Sequence, residues 1–362
     1  MKLIDKLMDR MLPMFGPGKK LHFFHHAIDA LDTILRAANI RPKTPPFGRD
    51  PMDVKRYMTL VIVALVPSLI ASLYFFGWRI IAMLLVSYVA GGFVEVLFSV
   101  IRKEEVNEGF LVTGFIFPLI LPPGLPLWTV AVGVVFGVVV GKEIFGGTGR
   151  NLFNPALVGR VFLALGYPAL MTSHWIEPAT GGWGRLAEGF SLGAVDAVSQ
   201  ATPLVAAKSG VVAAPLDLFL GMVTGSAGET SALAILVGGL LLIAVGVANW
   251  RTVFSLLGSF AALTALLHLI SPEAVSPVEF NLLSGGLLFG AFFMATDPVS
   301  GPVTIPAKWV YGFLIGIVTV LIRSFSGFVE GVMFAILFGN VCAPLIDEAV
   351  IRIHMRRYAR EG

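Results

Sequence analysis

Apolar stretches close to the length of a bilayer-spanning helix recur along this chain, and no other feature narrows its fold so far. A helix needs about 20 apolar residues to span the hydrocarbon core. Such stretches fall at about 58–76, 80–100, 127–145, 231–248, 251–270, 306–323 and 326–346. Three shorter ones, at about 109–121, 155–171 and 280–295, are bounded by glycine or proline. Composition agrees: only 14% of the 362 residues are charged, against about 25% in a soluble domain. The expected fold class is an all-α polytopic membrane protein with about ten transmembrane elements.

An even number of crossings puts both ends on one side, and the basic residues fit that layout. The N-terminal segment is basic from Lys2 to Arg56, and the tail holds Arg352, Arg356, Arg357 and Arg360. The opposite loops carry only Arg79, Arg185, Lys208 and Arg323. In the long loop between the halves, Glu177, Glu188, Asp196, Asp217 and Glu229 outnumber the bases. The expected location is a bacterial inner membrane, multi-pass, with both termini cytoplasmic.

The chain then divides into a cytoplasmic extension at 1–57, a first membrane repeat at 58–171, an outer-side loop at 172–230, a second repeat at 231–346 and a basic tail at 347–362. The extension lacks a long unbroken apolar run, so no cleavable signal peptide is expected. Its stretches MKLIDKLMDRMLPMF and LHFFHHAIDALDTIL are amphipathic and read as helices lying on the membrane surface. His22, His25 and His26 have no acidic or cysteine partner at ligand spacing, so no metal site is expected there. The single cysteine, Cys342, excludes an internal disulfide and a four-thiolate iron–sulfur cluster.

The two halves share an order of features. EGFLVTGFIFPLILPPGLPLW is echoed by SGGLLFGAFFMATDPVSGPVTIPAKW, each with a short apolar piece, a proline (Pro122, Pro298) and then a tryptophan (Trp128, Trp309). Five crossings per half reverse the entry side of the second, which gives an inverted five-plus-five repeat with broken helices.

Ionisable residues inside such a chain are candidates for function. They include Glu95, Lys142, Arg160 and Glu330. Glu108, Glu143, Asp297 and Asp347 are the ion-pathway candidates, because carboxylates beside irregular backbone suit a hard cation. GGTGRN (Gly146 to Asn151) lacks the arrangement of a phosphate loop. GSAGETS, from Gly225 to Ser231, could form an anion nest, or its Glu229, Thr230 and Ser231 could cap the helix that follows. DAVSQATPLVAAKSG, from Asp196 to Gly210, presents the Thr202 hydroxyl just ahead of Pro203 in the long outer loop.

Together, VNEGFLVTGFIFPLILPPGLPLW, GKEIFGGTGRNLFNPALVGRVFLALGYP, GSAGETSALAIL, FGAFFMATDPVSGPVT and VEGVMFAILFGNVCAPLIDEAVIRI resemble the NqrB/RnfD family of membrane flavoprotein subunits. Its NqrB members belong to the Na⁺-translocating NADH:quinone oxidoreductase, and its RnfD members to the Rnf electron-transport complex. The likeness runs from about residue 48 to 355. The extension, KKLHFFHHAIDALDTIL followed by RDPMDVKRYMTLV, is similar to that of the quinone reductase members. The Rnf-type members generally start closer to their first span.

The resemblance implies a flavin mononucleotide esterified through its phosphate to Thr202, attached by a flavin transferase. The family motif is D-x-x-[S/T]-G-A-T; Asp196, Ser199, Ala201 and Thr202 match it, and Gln200 stands where the family has glycine. It also implies riboflavin held without a covalent bond, a quinone site near the cytoplasmic surface, and Na⁺ as the transported ion. NADH, FAD and iron–sulfur sites would belong to other members of a six-subunit complex. The expected activity is a translocase step, NADH oxidation by quinone coupled to ion transport. A small-solute transporter without flavin is the alternative, and it has no use for a flavin ester at Thr202.

Overall fold

A computed structural model describes residues 54–102, 109–179, 182, 184–188, 201–273, 275–328 and 330–361. The amphipathic extension, the three histidines, Glu108, Asp196, Ser199 and Gln200 lie outside the described residues. Within them the structure is helical, without strands. Residues 61–362 form one compact unit, and the residues before them cluster separately.

The first half holds α1 (Val54–Phe76), α2 (Arg79–Arg102), α3 (Gly109–Leu119), α4 (Leu127–Gly141), α5 (Pro155–Gly166) and α6 (Pro168–Ser173). Between the halves lie α7 (Pro203–Lys208) and α8 (Pro215–Leu220). The second half holds α9 (Ala232–Val245), α10 (Trp250–Ile270), α11 (Val278–Leu283), α12 (Leu287–Phe289) with a π turn at Gly290–Met294, α13 (Ile305–Phe325) and α14 (Val332–Glu361). Six helices are long and apolar enough to cross a membrane, and α3, α5 and α9 are shorter apolar helices. At 1.5 Å per residue, the 21 residues of α10 reach about 31 Å, one hydrocarbon thickness.

Local chemistry sets the helix ends. Asn154 caps α5 by accepting from the Ala156 amide at 3.0 Å, with Pro155 at the first helical position, which needs no N–H donor. Ser231 caps α9 through the Ala234 amide, and Asn249 caps α10 through that of Arg251. Between them, Gly246 closes α9 in the left-handed conformation, so the expected run to 248 stops at Val245. The expected element at 280–295 is broken at Ser284–Gly286 into α11 and α12. The last helix starts at Val332, later than expected, which leaves 330–331 in a loop.

Packing repeats between the halves. In the first, α2 packs on α3 and α4, and α4 on α5; in the second, α10 packs on α11 and α13, and α13 on α14. Hydrogen bonds fix which helix ends share a face. Arg79, opening α2, donates to the carbonyls of Pro123, Gly124 and Leu125 beyond α3. The Gly124 amide in turn reaches His174 O beyond α6. At the far end of α2, Arg102 reaches Glu143, and Lys142 reaches Glu95.

Ala227 and Gly228, just before α9, bond to Leu121 and Leu119 on the Arg79 face. Thus α9 starts on the face where α1 ends, and the second half is inverted relative to the first. Tryptophans flank both faces: Trp78 and Trp128 stand on the first, Trp250 and Trp309 on the second. Their half-exposed rings suit the two headgroup levels of a bilayer.

Candidate functional site

Thr202 is the N-cap residue of α7, with Pro203 in the first helical position. Its carbonyl accepts from the Val205 and Ala206 amides, each at 2.9 Å. Its hydroxyl makes no capping bond. The side chain is nevertheless buried, because Leu204 anchors α7 in a small core with Leu218 of α8 and Phe280 of α11. A threonine in an ordinary turn would spend its hydroxyl on the backbone; this one does not.

The hydroxyl lies at a cleft of about 370 Å³. Six oxygen-bearing side chains line it: Thr202, Thr224, Ser226, Glu229, Thr230 and Glu330. Gly225 lines it as well. The structure therefore brings together Thr202, Gly225, Glu229 and Thr230, although more than twenty residues separate Thr202 from the others. Ser231 sits behind them and caps α9, so it takes the capping role rather than that of a nest. Ala201 adjoins Thr202 and is exposed.

Behind the cleft lies a charge network that sequence reasoning missed. Arg160 of α5 is fully buried and donates to Glu229 Oε1 at 2.8 Å and to Ser226 Oγ at 3.1 Å. It also bonds to Glu330 Oε2. Arg323, closing α13, donates to the carbonyls of Asn281 and Ser284 and stacks over Phe260. In the sequence these residues stand only as isolated intramembrane charges or as part of a sparse outer loop. The one available signal is that a charge within an apolar run must find a partner.

Hydrogen-bonding capacity is left over at this place. Among the described residues, eleven buried side-chain nitrogen or oxygen atoms lack a partner. Five of them lie at or directly behind the cleft: Arg160 Nε, Glu229 Oε2, Thr230 Oγ1, Ser284 Oγ and Arg323 Nε. Buried polar groups are rarely left unmatched, since each costs about 1–3 kcal/mol. Their concentration marks a place built to receive a polar ligand.

The ion-pathway candidates occupy the opposite face and do not meet Thr202. Glu143 follows the end of α4, is buried, and pairs with Arg102 at 2.6 Å. Lys142 beside it pairs with Glu95 of α2, whose second oxygen has no partner. The GGTGRN segment that follows is a turn with Gly146, Gly147 and Gly149 at φ of 114°, 92° and 89°, values that favour glycine.

Asp297 accepts from the amides of Val299 and Ser300 and from Ser300 Oγ within its own loop. Desolvation pushes its carboxyl above the ordinary range, against the downward pull of those bonds. Asp347 of α14 accepts from the amides of Val303 and Thr304, tying down the start of α13. No group of three or more metal-ligating side chains occurs among the described residues.

Comparison with known proteins gives this geometry a family. The profile of the NQR2, RnfD, RnfE family matches residues 42–356. The chain is 39% identical to the NqrB subunit of the Na(+)-translocating NADH-quinone reductase of Azotobacter vinelandii, over 98% of both chains. Identity to the same component of the Stutzerimonas stutzeri enzyme is also 39%, again over 98% of both. For Chromohalobacter salexigens it is 38%, over 98% of this chain and 95% of the relative. With nearly its whole length matched, the chain belongs to the NQR2, RnfD, RnfE family.

Proposed function

We propose that this chain is the NqrB-type membrane component of a Na⁺-translocating NADH:quinone reductase, and that Thr202 carries a flavin mononucleotide through a phosphoester. The observation that carries the reading is the Thr202 hydroxyl, uncommitted and buried, at a cleft where unpartnered polar atoms gather. The relatives named above are called subunits of a Na⁺-translocating NADH-quinone reductase, which supports NADH, quinone and Na⁺ as the participants.

The residues fit the group. A phosphoester at Thr202 needs a hydroxyl that is not already bonded, and unspent donors and acceptors close by. Glu229 Oε2 and Thr230 Oγ1 are available to a ligand's polar atoms. The lining contains no basic side chain, so the phosphate charge is offset from behind by Arg160 and Arg323. When bound, the flavin supplies one- and two-electron chemistry. The protein holds it, limits water and sets the local charge.

The outer assignment of the Thr202 face rests on charge. The opposite face carries Arg102, Lys142, Arg150, Arg251, Lys308, Arg352 and Arg356, as expected for a cytoplasmic side. A flavin transferase acting outside the membrane would then reach Thr202. Glu143, Asp297 and Asp347 lie on the cytoplasmic side by this reading, where Na⁺ would enter, and Glu108 belongs to the same group by sequence. Riboflavin without a covalent bond, a quinone site near that surface, and partner subunits carrying FAD and iron–sulfur centres complete the proposal.

Mass spectrometry of the peptide spanning Thr202, from protein coexpressed with its flavin transferase, tests the reading. The expected result is a flavin mononucleotide, less one water, on Thr202, with Gln200 tolerated. An unmodified peptide would remove the flavin from this site and restore the transporter reading.

A further inference from the structure

The Arg160 network stands close to the cleft, is enclosed by protein, and has a definite polarity. Glu229 lines the cleft with Thr202 and accepts from Arg160 at 2.8 Å. Glu330 lines the cleft from the other half of the molecule and bonds to the same guanidinium. One positive and two negative charges therefore bear on a single small volume. Arg160 is 1% exposed and Glu229 6%, so water screens them little. Charges separated from a ligand by protein rather than solvent act on it strongly.

Reduction adds negative charge. Each electron taken up at the cleft from a donor, which is oxidised in the same step, leaves one more negative charge until a proton follows. A fixed positive charge nearby favours that state, and a fixed negative charge opposes it. Resting on the flavin reading above, we infer that Arg160, Glu229 and Glu330 set the reduction potential of the flavin held at Thr202. Arg160 raises the potential; the two glutamates lower it.

None of the three carries electrons. They are positioning residues that act through the field at the cleft. Glu229 has a second way to act, because its free Oε2 is open to a hydrogen bond from the ligand. Arg323 adds positive charge behind Gly285, but it donates to the Asn281 and Ser284 carbonyls, so its position is fixed independently of the glutamates.

The test is a spectroelectrochemical titration of the full chain, coexpressed with flavin transferase and purified in detergent. Subtracting the signal of Thr202→Ala isolates the flavin held at that residue, and mass spectrometry of the Thr202 peptide records loading separately. Glu229→Gln and Glu330→Gln are expected to raise the midpoint potential, Arg160→Met to lower it, and Arg160→Lys to stay near wild type. Loosened packing alone would not move the potential in opposite directions for opposite charges. Shifts of one common sign, or none in flavin-loaded protein, overturn the inference while leaving the flavin reading intact. If Arg160→Met does not fold, the two glutamine variants decide: an unchanged or lowered potential in either overturns it. An unmodified Thr202 in the wild type overturns the flavin reading, and the inference with it.

Discussion

The Arg160 guanidinium donates to Glu229 Oε1 at 2.8 Å across 69 residues of sequence, and joins α5 of the first half to the segment that opens the second. Glu330 completes the link from the start of α14. Two halves related by inversion are thus tied at one buried point, directly behind the residue proposed to carry the flavin.

Removing the shared partner should be costly. Arg160→Met leaves Glu229 and Glu330 without their guanidinium, and breaking a buried pair costs about 3–5 kcal/mol. A clear fall in the melting temperature of the detergent-purified chain is expected. Arg160→Met combined with Glu229→Leu should recover part of the loss, since it removes an uncompensated charge as well. A single variant as stable as wild type would show that the network contributes nothing.

Thr202 and Ser231 should separate function from stability. Both stand at helix N-caps, but only the Ser231 oxygen accepts a capping bond, from the Ala234 amide. Ser231→Ala should cost about 1 kcal/mol, the usual loss for such a cap. Thr202→Ala should leave the melting temperature nearly unchanged and abolish in-gel flavin fluorescence. Equal destabilisation by the two would mean that Thr202 has a structural role.

Gly238 of α9 approaches α1 so closely that a Cβ would lie 1.9 Å from the Ala64 carbonyl oxygen. A backbone atom cannot swing aside as a side chain can. Gly238→Ala should therefore force the helices apart at a cost of about 1–3 kcal/mol or more. Gly258→Ala, where a Cβ meets nothing within 4 Å, is the control and should be neutral or slightly stabilising. Differential scanning fluorimetry of the pair checks the contrast.

The carboxylates of the opposite face carry the ion hypothesis, motivated by their place beside helix breaks. Glu143→Gln and Asp297→Asn, with flavin content retained, should weaken the Na⁺ dependence of quinone reduction in the assembled complex. Asp297 makes its bonds within its own loop, so its variant should still fold. Na⁺ titrations superimposable on wild type in both variants would remove these residues from the ion path.

Much of the architecture was legible because membrane solvation is a strong, local constraint. A bilayer admits apolar helices of a set length, and the sequence spells these out one after another. Asn154, Ser231, Asn249 and Gly246 mark helix ends through short-range hydrogen bonds and backbone freedom, which depend on a few neighbouring residues. The break at Ser284–Gly286 was less visible, since α11 and α12 are continuous in apolar character and differ only in backbone path. The start of α14 was misplaced for a related reason: Gly331 and Glu330 lie in a loop that composition alone does not mark.

The sequence by itself determined that this chain crosses a membrane repeatedly, that its halves mirror one another, and that Thr202 and GSAGETS are of interest. Only the tertiary structure decided that these two segments share one cleft, and that Arg160 and Glu330 stand behind and beside it. The physical reason lies in range. Helix formation and burial in lipid are decided by residues within a few turns of one another. Pairing of buried charges is decided by which helices pack together, and Arg160 finds both its carboxylates more than sixty residues away.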